Sequence, residues 1–498
     1  MAGAASRIVS LAEQVLGVPL PVRVRAWDHS EAGPPGAPVL VVRNRRALRR
    51  VLWRPGELGL ARAWVAGDLD VEGDLYAALA LLAGLIWERD PDDAAASGNS
   101  AAIVPGWLRG ALTLARDPDA RGAAAEMVKL AGPGLPPAPP AEEVARRTGL
   151  RHTLRRDREA ISHHYDVGND FYELVLGPSM VYSCAYWQPG GTLEQAQHDK
   201  LDLICRKLAL REGQRLLDVG GGWGSLVLHA AREYGVRAVA VTLSREQAAY
   251  GRKRVAEEGL TDRVEIRVQD YRELAKEEAA RSTSPGEGGP YDAISSVGMA
   301  EHVGAARYRE YADDLYALLA PGGRLLNHQI ARRPLADEEG YSVDEFIDAY
   351  VFPDGELAPV GRTVGLLEDA GFEVRDVEAL REHYALTLRA WVRNLEAGFG
   401  RAARLTTPGR ARVWRLYMAA SALAFERNRI GVNQVLAVRT PESGASGLPL
   451  RTRTWTADAT APPTERDPAG CTADPAAAKA DPDGPEPAPA DGEPGARD

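Results

Sequence analysis

Apolar positions along the chain follow two rhythms, one helical and one strand-like. Near the N-terminus Ile8, Leu11, Ala12, Val15 and Leu16 recur at helical spacing with Glu13 and Gln14 between them. That spacing predicts an amphipathic helix rather than the apolar core of a signal peptide. A short run at Pro38–Val42 predicts a strand, and helical patterns follow in GELGLARAWVAGDLDVEGDLYAALALL. From residue 156 to 440 short apolar runs alternate with helical stretches, the signature of an α/β fold built on a doubly wound parallel sheet. Its predicted strands are Arg215–Val219, Arg237–Thr242, Val264–Val268, Ala293–Val297 and Arg324–His328. FEVRDVEAL and GVNQVLAVR supply the last two strands. Between them YALTLRAWVRNLEAGFG and ARVWRLYMAASALAFERN read as helix, a cover inserted near the sheet.

These rhythms divide the chain into a smaller α+β domain over residues 1–90, a partly helical linker over 91–155, the large domain over 156–440, and a tail over 441–498. The tail is rich in Pro, Ala, Asp and Gly, cannot bury a core, and is predicted to be disordered. The loop EEAARSTSPGEGGP before Tyr291 is flexible by composition. A length of 498 residues with 45% hydrophobic content fits a globular protein of more than one domain. The net charge of −10 argues against a nucleic-acid partner, which needs clustered Lys and Arg. The three cysteines, Cys184, Cys205 and Cys471, have neither metal-type spacing nor a disulfide framework, as expected for a reducing cytoplasm. No apolar run reaches the length of a membrane span.

The strongest local signal is LLDVGGGWGSLVLHAA. A strand ends at Asp218, Gly220, Gly222 and Gly224 follow, and a helix begins. The glycines allow a tight turn and close approach of a ligand to the backbone. A dinucleotide site would space its glycines G-x-G-x-x-G, whereas this spacing, with an acid just before it, suits S-adenosylmethionine (SAM), which has no pyrophosphate to cradle. At the end of the second strand, where an acid commonly meets ribose, stand Thr242 and Leu243, with Gln247 one turn into the next helix. After the third strand Asp270 is placed either to accept from an adenine amino group or to cap a helix.

Several segments together resemble the cyclopropane-fatty-acyl-phospholipid synthase family, which includes the mycolic acid cyclopropane synthases and actinobacterial methylene-fatty-acyl-phospholipid synthases. They are HHYDVGNDFYELVLGPSMVYSCAYW, the glycine turn, SVGMAEHVG, LNHQI, FIDAYVFPDGEL and HYALTLRAW. GELGLARAWVAGDL looks like the small lipid-binding domain of the longer, phospholipid-acting members. The resemblance implies a class I SAM-methyltransferase fold, a Rossmann-like sheet with a helical cover. It implies SAM contacts at Tyr182, Ser183, Asp218, Gly220, Gly222, Gly224, Thr242, Leu243, Gln247 and Asp270. It further implies a bicarbonate ion acting as general base, held by Cys184, Glu301, His328, Ile330 and Tyr384. Ala300 and Gln269 depart from the aromatic residues that many or some members carry at those places. His163, His164, Tyr165 and Asp166 stand near the active site or start a helix. Cys205 and Cys471 receive no role.

The implied reaction adds a one-carbon group from SAM to the cis double bond of an unsaturated phospholipid acyl chain. An alkene is a weak nucleophile, so positioning carries much of the rate. The resulting carbocation needs a dry pocket, and a base must remove one proton. In the implied arrangement a neutral Cys184 thiol and the His328 imidazole donate to bicarbonate, Glu301 accepts its O–H, and Tyr384 orients it. Each residue also has a plain reading: a buried small hydrophobe for the cysteine, a structural histidine, a packing tyrosine. Loss of a proton from the new methyl closes a cyclopropane; a hydride shift and loss from the chain leaves a methylene branch, which some actinobacterial members make in partnership with a separate reductase. The other implied partners are the phospholipid itself, met at a membrane surface by a cytoplasmic, peripherally associated protein, and a second copy in a homodimer. RNRRALRRVLWR and RRTGLRHTLRR are basic with apolar residues between, read either as lipid-facing or as solvated faces. A small-molecule or RNA methyltransferase and a non-catalytic lipid-binding protein are the rival classes.

Overall fold

Branched residues in LLDV, AVAVT, VEIRV and AISSV favour extended backbone buried on both faces, and each forms a strand of one sheet. The computed structural model describes residues 2–87, 118–144, 156, 167–281, 290–335, 338, 341, 343–450 and 453. The expectations for the 277–290 loop, for residues 163–166 and for the tail fall wholly or largely outside those residues.

The N-terminal sheet contains β1 (Arg23–Arg25), β2 (Glu31–Ala32), β3 (Val39–Val42) and β4 (Leu69–Glu72) in the order β2-β1-β3-β4. Its core takes Ile8, Val9 and Leu11 from the helix Ala4–Leu16, and Leu130 and Ala131 from the helix Pro118–Ala131. A segment read from sequence as linker thus contributes a helix to this core.

The large sheet contains β5 (Arg215–Val219), β6 (Arg237–Thr242), β7 (Val264–Val268), β8 (Tyr291–Val297), β9 (Leu319–Arg332), β10 (Glu373–Ala379) and β11 (Ile430–Val438), in the order β10-β11-β9-β8-β5-β6-β7. β5, β6, β7, β8 and β9 run parallel, and β11 is antiparallel to both β9 and β10. The order reverses between β5 and β8, and such a switch point opens a crevice beyond the carboxyl ends of the strands. The glycine turn and the segment 296–304 both stand there. β9 is longer than its predicted core; its last β8 pair is Val297 with His328, and it carries Ile330 beyond that pair.

The predicted cover is present between β10 and β11 as the helices Arg381–Ala397, Phe399–Leu405 and Pro408–Glu426. Its apolar side chains join Phe171, Tyr172, Cys184 and Trp223, and also Leu58, Ala61, Trp64 and Leu75 of the N-terminal region, in one buried cluster. The Trp64 indole donates to the Arg412 carbonyl at 2.9 Å, and the Arg412 guanidinium donates back to the Trp64 carbonyl at 2.6 Å. No helix among the described residues is long and apolar enough to cross a membrane.

Candidate active site

The turn after β5 is built by positive backbone angles at Gly220 (φ 78°), Gly222 (φ 53°) and Gly224 (φ 81°). A Cβ at Gly222 would meet nothing within 4 Å, because that position faces an open cleft. A Cβ at Gly221 would lie 2.7 Å from that of Ala240, so the neighbouring glycine is needed for turn-to-strand packing. The cleft is open to solvent and, with that solvent-facing space included, spans about 710 Å³. Gly220, Gly222, Thr242, Leu243, Gln247 and Asp270 line it, with Gln269, Arg272, Met299 and His302. The last three were not singled out from sequence; Met299 and His302 arrive on the segment after β8, which sequence alone does not fold back over the turn.

Beneath the turn Asp218 is buried and accepts from the Ser295 hydroxyl at 2.7 Å. Burial raises its carboxyl to about 6, against the opposing pull of that hydroxyl and of Lys200. The Thr242 hydroxyl donates to the Gln247 side-chain oxygen at 2.9 Å, and Ser244 caps the helix that carries Gln247. Asp270 fulfils its capping alternative: its carboxylate accepts from the Arg272 backbone N–H at 2.9 Å and from the guanidinium at 2.9 and 2.7 Å. Tyr182 and Ser183 are not among the cleft-lining residues. Tyr182 packs instead in an aromatic wall, 5.4 Å from Trp391 and 5.7 Å from both Trp414 and Tyr172 between ring centroids.

The Y-S-C segment is pinned to the cover by Thr387. Its hydroxyl accepts from the Ala185 backbone N–H at 3.1 Å and the Trp187 indole at 3.0 Å, and donates to the His383 carbonyl at 2.7 Å. Cys184 is fully buried, and burial pushes its thiol well above the usual value, which keeps it neutral. The thiol faces the Ala185 and Leu380 carbonyls at 3.3 and 3.6 Å. The backbone N–H of Tyr384 donates to that same Leu380 carbonyl at 3.1 Å, which places the cysteine beside the first turn of the cover helix.

Glu301 lies in a short 3-10 turn after β8. Because β8 has ended, the Ile330 N–H lacks a ladder partner on that side, and Glu301 Oε1 accepts it at 2.7 Å. The other oxygen, Oε2, is buried with no partner among the described residues. Burial raises this carboxyl to about 7, opposed by the Ile330 N–H. His328 shares a strand face with Ile330, is buried, and is held down to about 3 by burial and by the charges of Lys200 and Lys207. Its Nδ1 lies 3.3 Å from the Gln434 amide nitrogen, while Nε2 is buried without a partner among the described residues. Tyr384 packs 4.8 Å from Phe425 and 6.0 Å from Trp391. Tyr417, missed from sequence, feels the Glu301 charge and hydrogen-bonds Tyr182; burial raises it to about 12.

Lys200 was also missed from sequence. Burial lowers its ammonium to about 8, and its charge acts on Asp218, Cys184 and His328 alike, which ties the turn, the thiol and the imidazole to one locality. In the basic stretch 43–54 four arginines have acidic partners. Arg46 and Arg50 pair with buried Asp68, Arg43 with Asp70, and Arg54 with Glu345. Of the second basic stretch only Arg156 is described, and it pairs with Asp354.

The family model described as mycolic acid cyclopropane synthetase matches residues 152–435. A protein of Mycobacterium tuberculosis named as a probable fatty acid methyltransferase is 42% identical, over 86% of this chain and 94% of its own. The cyclopropane-fatty-acyl-phospholipid synthase of Escherichia coli is 37% identical over 56% of this chain and 68% of its own. A solved mycolic acid cyclopropane synthase, CmaA1, complexed with S-adenosylhomocysteine, superposes with a TM-score of 0.51 at 30% identity, over 56% of this chain and 98% of its own. This chain therefore belongs to the mycolic acid cyclopropane synthetase family and is a SAM-dependent methyltransferase of the cyclopropane-synthase type.

Proposed function

We propose that this enzyme adds the SAM methyl carbon to the cis double bond of an unsaturated phospholipid acyl chain and closes a cyclopropane ring. The observation that carries the reading is a pair of buried polar atoms with no partner among the described residues, Glu301 Oε2 and His328 Nε2, at the carboxyl ends of β8 and β9. A buried group without a partner is costly and calls for a ligand that completes it. One atom is an acceptor and the other, in the tautomer derived below, a donor. That set fits a small oxyanion bearing one hydroxyl, as bicarbonate does. Bound there, bicarbonate supplies the general base that takes the proton.

The chain's own groups do the rest. Gly220, Gly222, Thr242, Gln247 and Asp270 hold SAM in the cleft. The Cys184 thiol, already engaged by backbone carbonyls, positions its segment rather than the anion. Tyr182, Tyr384, Trp391 and Trp414 exclude water and present ring faces that favour a cationic centre. Glu301, ionised above about pH 7, accepts the hydroxyl of the anion.

The phospholipid assignment rests on the likeness to the E. coli enzyme and on the N-terminal region packed against the cover. Trp53 and Leu60, 57% and 49% exposed on the helices Arg46–Trp53 and Glu57–Val65, offer apolar contacts to the surface of the cytoplasmic membrane leaflet. The test is mass spectrometry of unsaturated and saturated phospholipid vesicles incubated with the full chain and SAM. Gain of one CH2 on unsaturated chains alone, with ring fragmentation, is expected. An exomethylene fragmentation pattern assigns the methylene-branched product instead. SAM consumption without lipid change contradicts the proposal.

A further inference from the structure

A row of polar side chains, buried at His328 and Gln434 and part-buried at Glu378, crosses three neighbouring strands at the level of His328. Register pairs Glu378 of β10 with Gln434 of β11, and Gln434 with His328 of β9. Lys207, at the end of the helix Leu193–Lys207, is fully buried and reaches into the row. Its ammonium donates to Glu378 and, at 2.8 Å, to the Gln434 side-chain oxygen. Asp376 lies 4.0 Å from the same ammonium.

Donor and acceptor chemistry fixes the direction of this chain. An ammonium has only donors, so the amide of Gln434 must present its oxygen to Lys207. Its NH2 is thereby turned to His328 Nδ1, 3.3 Å away. A ring nitrogen facing an N–H donor must accept, so in the neutral imidazole the proton lies on Nε2. Nε2 is the atom left buried without a partner among the described residues. We infer that Gln434, oriented by Lys207 and Glu378, is a positioning residue that locks His328 as an Nε2–H donor toward the reacting site. The inference rests on the proposed function for the site that this donor serves. With the other tautomer, Nδ1–H would oppose the Gln434 NH2, and Nε2 would offer a lone pair to an anion, a repulsive contact. Lys207 and Gln434 are separated by 227 residues, and Gln434 from His328 by 106, so no local motif announces the row.

The test is NMR of the imidazole nitrogens in histidine-labelled full-length protein, with the His328 signals assigned by their loss in His328→Asn. In the parent, Nε2 is expected protonated and Nδ1 bare throughout the neutral range. Gln434→Leu keeps the Lys207–Glu378 pair, frees the ring, and should mix the tautomers while lowering kcat by ~10–100-fold with KM for SAM unchanged. If that variant fails to fold, Gln434→Glu, of the same shape, carries the test: its carboxylate accepts from both Lys207 and the ring, and Nδ1 must become protonated. A proton on Nδ1 in the parent, or a bare Nδ1 in Gln434→Glu, overturns the inference. Turnover of His328→Asn tests the underlying reading separately. Parent-like turnover there removes His328 from the reaction while leaving the tautomer assignment standing.

Discussion

Two regions of this molecule bury charge, and they do so in opposite ways. At the N-terminal region Asp68, 1% exposed, has both carboxylate oxygens engaged, by Asn44 and Arg46 on one and Arg50 on the other. Asp70 nearby takes Arg43 and, across the seam to the cover, Arg412. At the ends of β8 and β9, Glu301 and His328 each satisfy one polar atom through the protein and leave the other buried and unpaired among the described residues. Completed charge is architecture: it fixes how helices and strands meet. Incomplete charge in a dry wall has no structural return, and its cost is accepted where a ligand finishes the set.

Substitutions can break this contrast, beginning with the largest expected effect. Glu301→Gln should lower turnover by ~10²–10⁴-fold, the usual range for loss of a positioned acid–base partner, with SAM affinity retained by calorimetry. Asp68→Ala should act on stability instead, costing about 3–5 kcal/mol because Arg50 is left buried without its acid. A fall in the thermal midpoint with parent-like SAM affinity in the folded protein checks it.

Acidity sharpens the comparison further. Glu301 titrates near 7 rather than 4.5 in the folded chain, so turnover should rise about tenfold per pH unit toward a plateau above about pH 7. The sign for stability is the reverse. The folded state holds the Glu301 proton that the unfolded state releases, so this contribution is complete below 4.5 and lost as pH rises through about 7. Thermal midpoints across that window should flatten in Glu301→Gln. The smallest effect belongs to the cofactor turn. Gly222→Ala places a Cβ toward the cleft at a left-handed position, costing about 1–2 kcal/mol and weakening SAM binding roughly tenfold at unchanged saturated turnover.

What could be read from sequence follows the range of the forces involved. β5, β6 and β7 were placed to the residue by the apolar runs, because strand burial is written locally. The glycine turn was equally plain, since only glycine suits its backbone. Cys184, Glu301, His328, Ile330 and Tyr384 came from resemblance, and nothing in their spacing showed that the thiol would face the Leu380 carbonyl. Thr387, Lys200, Lys207 and Gln434 carried no signal, because their meaning lies in partners many residues away. The ion pairs of 43–54 were hidden for the same reason: the acids that meet Arg43, Arg46, Arg50 and Arg54, namely Asp68, Asp70 and Glu345, lie outside the segment.

The most direct measurement compares turnover of the parent and of Glu301→Gln in buffer stripped of carbonate and in the same buffer with bicarbonate restored. With a hydroxyl-bearing oxyanion completing Glu301 and His328, the parent loses activity on stripping and regains it on addition, while the variant stays low in both. Equal parent rates in the two buffers would contradict the account.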